Sequence, residues 1–327
     1  MAHEAAAGPG RDEFAASTEP FRRELLAHCY RMTGSLDEAE DMVQETFLRA
    51  WRSLDGFQGR SSLRVWLYRI ATNACLTAVE QRSRRALPSG LGAPSDDPGA
   101  PAVLPGPEVR WLGPLPEALV TGPEQDPAAV AVARESLRLG LIACLQYLPA
   151  RQRAVLILRD VLAFSAAESA AVLGTSTVAV KSALQRARAR LEEVSPSAGD
   201  IVEPASAQAR ALLDAYTTAF EKADPAALER VLRKDAALEP VGSATWFSGK
   251  DTCMAFIRQV IGVPGEWLMM PTIASGQPAT ATYRRDADGV HRAFGLAVLT
   301  VTGTGISRIV VFGDPGLVGK AGFPPVA

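Results

Sequence analysis

Ten prolines and six glycines fall within 42 residues, from Ala86 to Pro127. Proline fixes φ and carries no N–H, so neither a helix nor an interior strand runs through such a tract. The chain must therefore fold as separate bodies on either side of it. A length of 327 residues leaves room for more than two of them.

Upstream, apolar residues recur with helical period from Phe14 to about Gln81, broken at Thr33-Gly34-Ser35 and over 55–59. Helical period returns from Ala128 to about Val194. After Ala205 come a helix to Phe220, a second opened by Asp224-Pro225, and alternating runs such as Ala297–Thr302 and Ile306–Phe312 that read as strands. Hydrophobic residues at 47% and charged residues at 21% suit packed cores rather than disorder. Four separated cysteines and three histidines argue against a disulfide framework, and neither a metal site nor a cofactor is expected. The N-terminal residues lack a signal-type apolar stretch and no run of eighteen apolar residues occurs, so the expected setting is cytoplasmic, without a membrane partner.

The net charge of −2 conceals segmentation: −5 over residues 37–48, +6 over 49–85, −5 over 86–133 and +4 over 134–193. Basic blocks of this size suit a polyanion, although solvated helical faces look the same. Ser35-Leu36-Asp37-Glu38 has the form of a capping box, and the helix it opens places Ala39, Val43, Phe47 and Ala50 on one face. Asp37, Asp41, Gln44 and Glu45 lie opposite, with no basic residue beside them to neutralise the carboxylates. Either a basic partner or the helix dipole accounts for that face. The next helix, capped by Ser61 or Ser62, buries Leu63, Leu67, Ile70, Ala74 and Ala78 by the same periodicity and carries Trp66, Arg69 and Asn73 on one stripe. A flat ring, a guanidinium and an amide in line are tools for reading an unstacked base, and Arg82, Arg84 and Arg85 would add phosphate contacts.

Ser165 to Glu168 forms another capping box, opening a short helix that ends at Gly174. A longer one follows from about Thr177, buried along Val180, Leu184, Ala187 and Leu191 and exposing Thr177, Lys181, Gln185 and Arg188. This is helix-turn-helix spacing, with polar residues placed for major-groove edges; a plain amphipathic hairpin shares the apolar stripe.

The run DEAEDMVQETFLRAWRSLDGFQGRSSLRVWLYRIATNACL, residues 37–76, resembles region 2 of extracytoplasmic-function (ECF) sigma factors of the sigma-70 family, and residues 148–191 resemble region 4. The resemblance implies that Asp37, Glu40, Asp41, Gln44 and Glu45 dock on the β′ clamp of core RNA polymerase. It implies capture of the −10 element by Phe57, Arg60, Ser62, Trp66, Arg69 and Asn73. Region 4 would read the −35 element of promoter DNA through Ser176, Thr177, Lys181, Ser182, Gln185, Arg186 and Arg188, and contact the β flap. The acidic linker looks like sigma linkers that thread the nucleic-acid channel of the polymerase. Its apolar island WLGPLPEAL, residues 111–119, resembles a tryptophan-led motif of sigma factors with an added C-terminal domain, and is expected to dock on that domain.

Residues 205–318 resemble SnoaL-like domains of the nuclear transport factor 2 superfamily, which implies an α+β cone with a pocket; Tyr216, Glu239, Trp246, Trp267 and His291 are its candidate residues. Steroid isomerases of that superfamily pair a carboxylate base with a tyrosine donor. Tyr216 matches the tyrosine, but Glu239 stands one position off the expected aspartate, so no catalytic residue is assigned and the chain is expected not to be an enzyme. The expected architecture is multidomain: two all-α domains (14–85 and 134–194), a Pro/Gly-rich acidic linker (86–133) and an α+β regulatory domain (205–318). The expected activity is promoter-specific initiation modulated by the C-terminal domain, through a ligand or its own linker. A DNA-tethered isomerase and a one-component repressor are the alternatives.

Overall fold

The computed structural model describes residues 11–54, 57, 59, 61–80, 82–122, 127–194 and 201–327. In chain order, α1 (Arg11–Thr18), α2 (Arg22–Thr33), α3 (Leu36–Arg52) and α4 (Leu63–Glu80) come first. The linker holds β1 (Arg85–Ala86), β2 (Arg110–Trp111) and α5 (Pro127–Glu135). It is followed by α6 (Leu139–Leu145), α7 (Ala150–Leu156), a π-helical turn (Ile157–Val161), α8 (Ala166–Leu173) and α9 (Thr177–Val194). The C-terminal part contains α10 (Ala207–Glu221), α11 (Pro225–Val231), β3 (Leu232–Val241), β4 (Phe247–Ser248), α12 (Lys250–Val260), β5 (Trp267–Ala274), β6 (Gln277–Arg285), β7 (His291–Thr302), β8 (Gly305–Phe312) and α13 (Pro315–Lys320). These form two compact units.

The first unit comprises residues up to 84 together with 144–194. Its helix breaks follow from the sequence. Gly34 ends α2 in the left-handed region (φ 71°), and Ser35 then caps α3 by accepting from the Glu38 N–H at 3.4 Å. The expected reciprocal bond is replaced: the Glu38 carboxylate pairs with Arg82 at 2.5 Å, and the Thr33 hydroxyl meets the Ser35 N–H at 3.4 Å. The capping box at Ser165/Glu168 is complete, and α8 ends at Gly174 with φ 60°.

Ala39, Val43 and Ala50 of α3 are buried as expected, with Phe47 half-buried beneath the Arg22 guanidinium at 4.9 Å. On α4 the expected stripe is too narrow. Leu67 and Ala74 are buried, but so are Tyr68, Ala71, Thr72 and Cys75, while Leu63, Ile70 and Ala78 are partly exposed. The cause is a second packing layer, because α4 rests on α2 and α3 and is covered by α7 and α8. Phe164, buried just before α8, meets the Tyr68 ring edge-on at 5.1 Å, and the Arg64 guanidinium lies over both rings at 4.7 and 5.0 Å. Arg153 of α7, itself buried, donates to the Met32 carbonyl at the end of α2 and to Gln146 Oε1 at 2.9 Å. The two helical domains expected from the sequence thus share one core.

The second unit comprises 85–143 and 195–327. Its six-stranded sheet has the order β4-β3-β8-β7-β6-β5, antiparallel except for the β3–β8 pair. Ser206 caps α10 through the Ala209 N–H, and Asp224 caps α11 ahead of Pro225. Tyr216, Phe220, Trp267 and Phe294 form a continuous aromatic chain, each ring 5.0 to 6.5 Å from the next, in a core shared with Leu228, Phe247, Ile257, Leu299 and Ile309. This is the expected α+β fold.

The linker carries more regular structure than its Pro/Gly composition implies. β1 and β2 pair in parallel, Arg85 opposite Arg110 and Ala86 opposite Trp111, so residues 87–109 form a loop closed at its base. Leu87, Leu112 and Leu115 are buried. A Pro/Gly tract makes few hydrogen bonds to itself, and here its peptide groups are satisfied by the C-terminal fold.

Candidate nucleic-acid interface

On α3, Asp37, Asp41 and Gln44 are exposed while Glu40 and Glu45 are half-buried. The expectation that no basic residue balances this face is corrected for Glu45, whose Oε1 accepts from Arg49 Nε at 2.6 Å, one turn on. Asp37 stands in the first turn of the helix, where carboxylates are favoured.

The α4 stripe is assembled as predicted. Ser62 Oγ accepts from the Val65 N–H at 3.2 Å, fixing the first turn. Phe57 lies 4.8 Å from Trp66 with the rings tilted 36°, making a double aromatic platform at the head of the helix. Arg69 and Asn73, three and seven residues after Trp66, are exposed below it. Arg60 lies outside the described residues. The basic cluster that follows is already engaged: Arg82 with Glu38, and Arg84 over the Tyr147 ring at 4.1 Å.

α9 presents every residue expected of it. Ser176, Thr177, Lys181, Ser182, Gln185, Arg186 and Arg188 are exposed, and Val180, Leu184 and Ala187 are buried beneath them, with Leu191 partly so. Ser176 Oγ caps the helix through the Ala179 N–H at 3.2 Å. Arg188 is held by both oxygens of Asp160, at 2.7 and 2.9 Å, so it is pinned against the π-helical turn. Sequence reasoning missed Val178. Its side chain is 75% exposed in the first turn, where an apolar group suits a thymine methyl; its place beside Thr177 was the available signal.

The five pocket candidates do not converge. Tyr216 is buried in the aromatic core, and burial pushes its hydroxyl well above the ordinary tyrosine range. Trp267 shares that core and donates to the Val260 carbonyl at 3.1 Å. Glu239 is fully buried, but its carboxylate accepts from Arg308 Nη1 and, at 2.9 Å, from the Ser89 N–H of the linker. Trp246 donates Nε1–H to the Gly92 carbonyl at 2.9 Å, and His291 Nε2 lies 3.1 Å from the Gly265 carbonyl. Two of the five therefore hold the linker. The apolar island does dock: the Leu115 N–H reaches Ser275 Oγ at 3.0 Å, and the Ser275 N–H reaches the Leu115 carbonyl at 2.7 Å. Among the described residues no group of three or more His, Cys, Asp or Glu could hold a metal ion, and no helix is long and apolar enough to cross a membrane.

A helical bundle with an aromatic-arginine-amide stripe, followed by a capped helix-turn-helix, is an arrangement suited to nucleic-acid contact at two places. Residues 18–85 match the family model for sigma-70 region 2 and residues 138–191 that for sigma-70 region 4. The chain is 50% identical over 317 residues to the ECF RNA polymerase sigma factor SigG of Mycobacterium tuberculosis, covering 96% of this chain and 85% of the relative. It is 32% identical over 166 residues to SigE of Mycolicibacterium smegmatis, half of this chain and 54% of that one. In structure it resembles the crystal structure of Mycobacterium tuberculosis SigJ, with TM-score 0.57 and 22% identity over 95% of this chain and 99% of the other. The chain belongs to the ECF sigma factors of the sigma-70 family.

Proposed function

We propose that this protein binds core RNA polymerase through the acidic face of α3 and directs promoter-specific initiation, reading a melted strand with α4 and duplex DNA with α9. The single observation that supports it most is the stripe on α4, where the Phe57–Trp66 platform, Arg69 and Asn73 follow one another on the exposed side of an otherwise buried helix. Aromatic faces take an unpaired base without regard to its partner strand, and the amide supplies a paired donor and acceptor for its edge. The C-terminal fold modulates this activity by holding the linker. The Glu239 carboxylate, bound by Arg308 and a linker N–H, acts as an anchor for a peptide and not as a base facing a substrate.

Run-off transcription with core polymerase and a library of genomic promoter fragments tests the reading. The full chain should yield transcripts that Asn73→Ala and Trp66→Ala lose, with binding to core polymerase retained. Asp41→Lys with Glu45→Lys should lose polymerase binding while duplex binding by α9 persists. Failure of the unaltered chain to bind core polymerase would reject the proposal.

A further inference from the structure

Between Ser89 and Leu139 the chain meets the C-terminal fold repeatedly through its peptide groups. The Ser89 N–H goes to Glu239 at 2.9 Å, the Gly92 carbonyl accepts from Trp246, and the Ser95 N–H goes to the Trp246 carbonyl at 2.8 Å. The Pro98 carbonyl accepts from Gln259 Nε2 at 3.3 Å. At Val103 the N–H donates to Thr245 Oγ1 at 2.8 Å, while the carbonyl accepts from the Ala244 N–H at 2.8 Å and from Ser243 Oγ at 3.2 Å. Leu115 exchanges two bonds with Ser275, and the Leu139 N–H at the start of α6 goes to Gln277 Oε1 at 2.9 Å. Side chains also take part: Arg134 Nη1 donates to Glu203 Oε1 at 2.6 Å, and Arg308 lies 3.4 Å from the Ser89 hydroxyl.

Val103 makes the division plain: both of its peptide groups are bonded, yet its side chain is 62% exposed and that of Leu104 78%. Close approach of the main chain recurs at the β5–β6 turn. Gly276, at φ +61°, faces the Arg134 carbonyl, and a Cβ there would stand 2.1 Å from that oxygen. The sequence carries a matching register, since the donors Ser89, Ser95 and Leu115 each directly follow a proline, Pro88, Pro94 and Pro114. Proline holds the preceding chain extended and removes a competing N–H, so the next amide is presented outward with little ordering entropy left to lose.

We propose that Glu239, the Ser243–Trp246 loop and the Ala274–Gln277 turn form a peptide-binding site that reads the main chain of an extended Pro-X-rich segment, with this chain's own linker as its occupant. Linker side chains add the buried anchors Leu87, Leu112 and Leu115 and, outside this site, the ion pair of Arg134 with Glu203. Gln277 extends the site to the helix that begins the second DNA-reading part, since its amide caps α6 while donating to the Leu299 carbonyl at 3.2 Å and to Thr300 Oγ1 at 2.8 Å.

The test compares Val103→Ala with Val103→Pro in the full chain by residue-resolved amide exchange, with polymerase and DNA absent, so its outcome is independent of the proposed transcription role. Exchange at Ala244, whose N–H is bonded to the Val103 carbonyl, should stay within about twofold of wild type in the alanine variant and rise at least tenfold in the proline variant. Protection of Ala281 and Leu299 in the sheet should persist in both. Equal loss in the two variants would mean that side chains carry recognition, and an unchanged proline variant would mean that these bonds do not hold the linker; either overturns the proposal. If sheet protection is lost in Val103→Pro, Thr245→Val removes the acceptor from the domain side and decides by the same readout.

Discussion

Both α4 and α9 are eighteen residues long and both carry the side chains assigned to promoter reading, but they are packed in opposite ways. α9 lies on α7 and α8 along one apolar stripe, so the surface around Lys181, Ser182, Gln185 and Arg186 stands open. α4 is enclosed from two sides, and its exposed stripe is what two layers of packing leave over. The same polar chemistry is thus set on a rigid, core-like helix in one case and on a solvent-facing helix in the other. Substitutions on the two helices should therefore separate stability from recognition differently.

The largest contrast is expected in the core beneath the α4 stripe. Tyr68→Ala should cost about 3–5 kcal/mol, because it empties the contact shared by α4, Phe164 and Arg64; urea denaturation of the full chain measures it. Leu191→Ala, on the partly exposed end of the α9 stripe, should cost well under half of that. Next, Gln185→Ala and Asn73→Ala should each weaken promoter recognition by about 1–3 kcal/mol while moving stability by less than about 0.5 kcal/mol; titrations against duplex and bubble templates would show the first affecting duplex binding and the second the bubble.

A smaller effect concerns pH. His28, beneath α4 with Nε2 3.0 Å from the Thr72 hydroxyl, is lowered to about 3 by burial and by the nearby Arg31 and Arg64 charges. The folded chain therefore resists protonation that the unfolded chain accepts below about pH 6.5. Stability from this group is present above that pH and lost as pH falls from there toward 3. Between pH 7 and pH 5 the first unit should lose on the order of 1–2 kcal/mol, and the slope should flatten in His28→Gln. The smallest effect is expected at Arg188→Ala. Its ion pair with Asp160 is exposed and should add little to stability, so a marked loss of duplex binding with an unchanged denaturation midpoint would show that the pair opens to reach DNA.

The legible parts of this molecule were those written in local spacing. Ser35, Ser165 and Asp224 announced their helices, and the Val180–Leu184–Ala187 stripe fixed which side of α9 faces out. The buried width of α4 was not legible, because Tyr68 and Cys75 are covered by helices roughly a hundred residues away and no periodicity within α4 records that. Ion pairs show the same limit: Glu45–Arg49 lies within one helix and could have been read, whereas Glu239–Arg308 joins strands 69 residues apart. The docked linker was least legible, since bonds to peptide groups leave no trace in side-chain type. Only the apolar island at Leu112 and Leu115 betrayed it, together with prolines whose regular placement looks like mere absence of structure.

The parallel pairing of Arg85–Ala86 with Arg110–Trp111 sets a tether length. With it formed, residues 87–109 are a side excursion that adds nothing to the span between the helix ending at Glu80 and the one beginning at Leu139. Opening it, together with the bonds that hold Ser89, Ser95 and Val103 on the C-terminal fold, would return those residues to the line, roughly 75 Å of contour at about 3.3 Å per residue. Two short strands, paired over two residues each, thus decide how much of the linker counts toward its contour length.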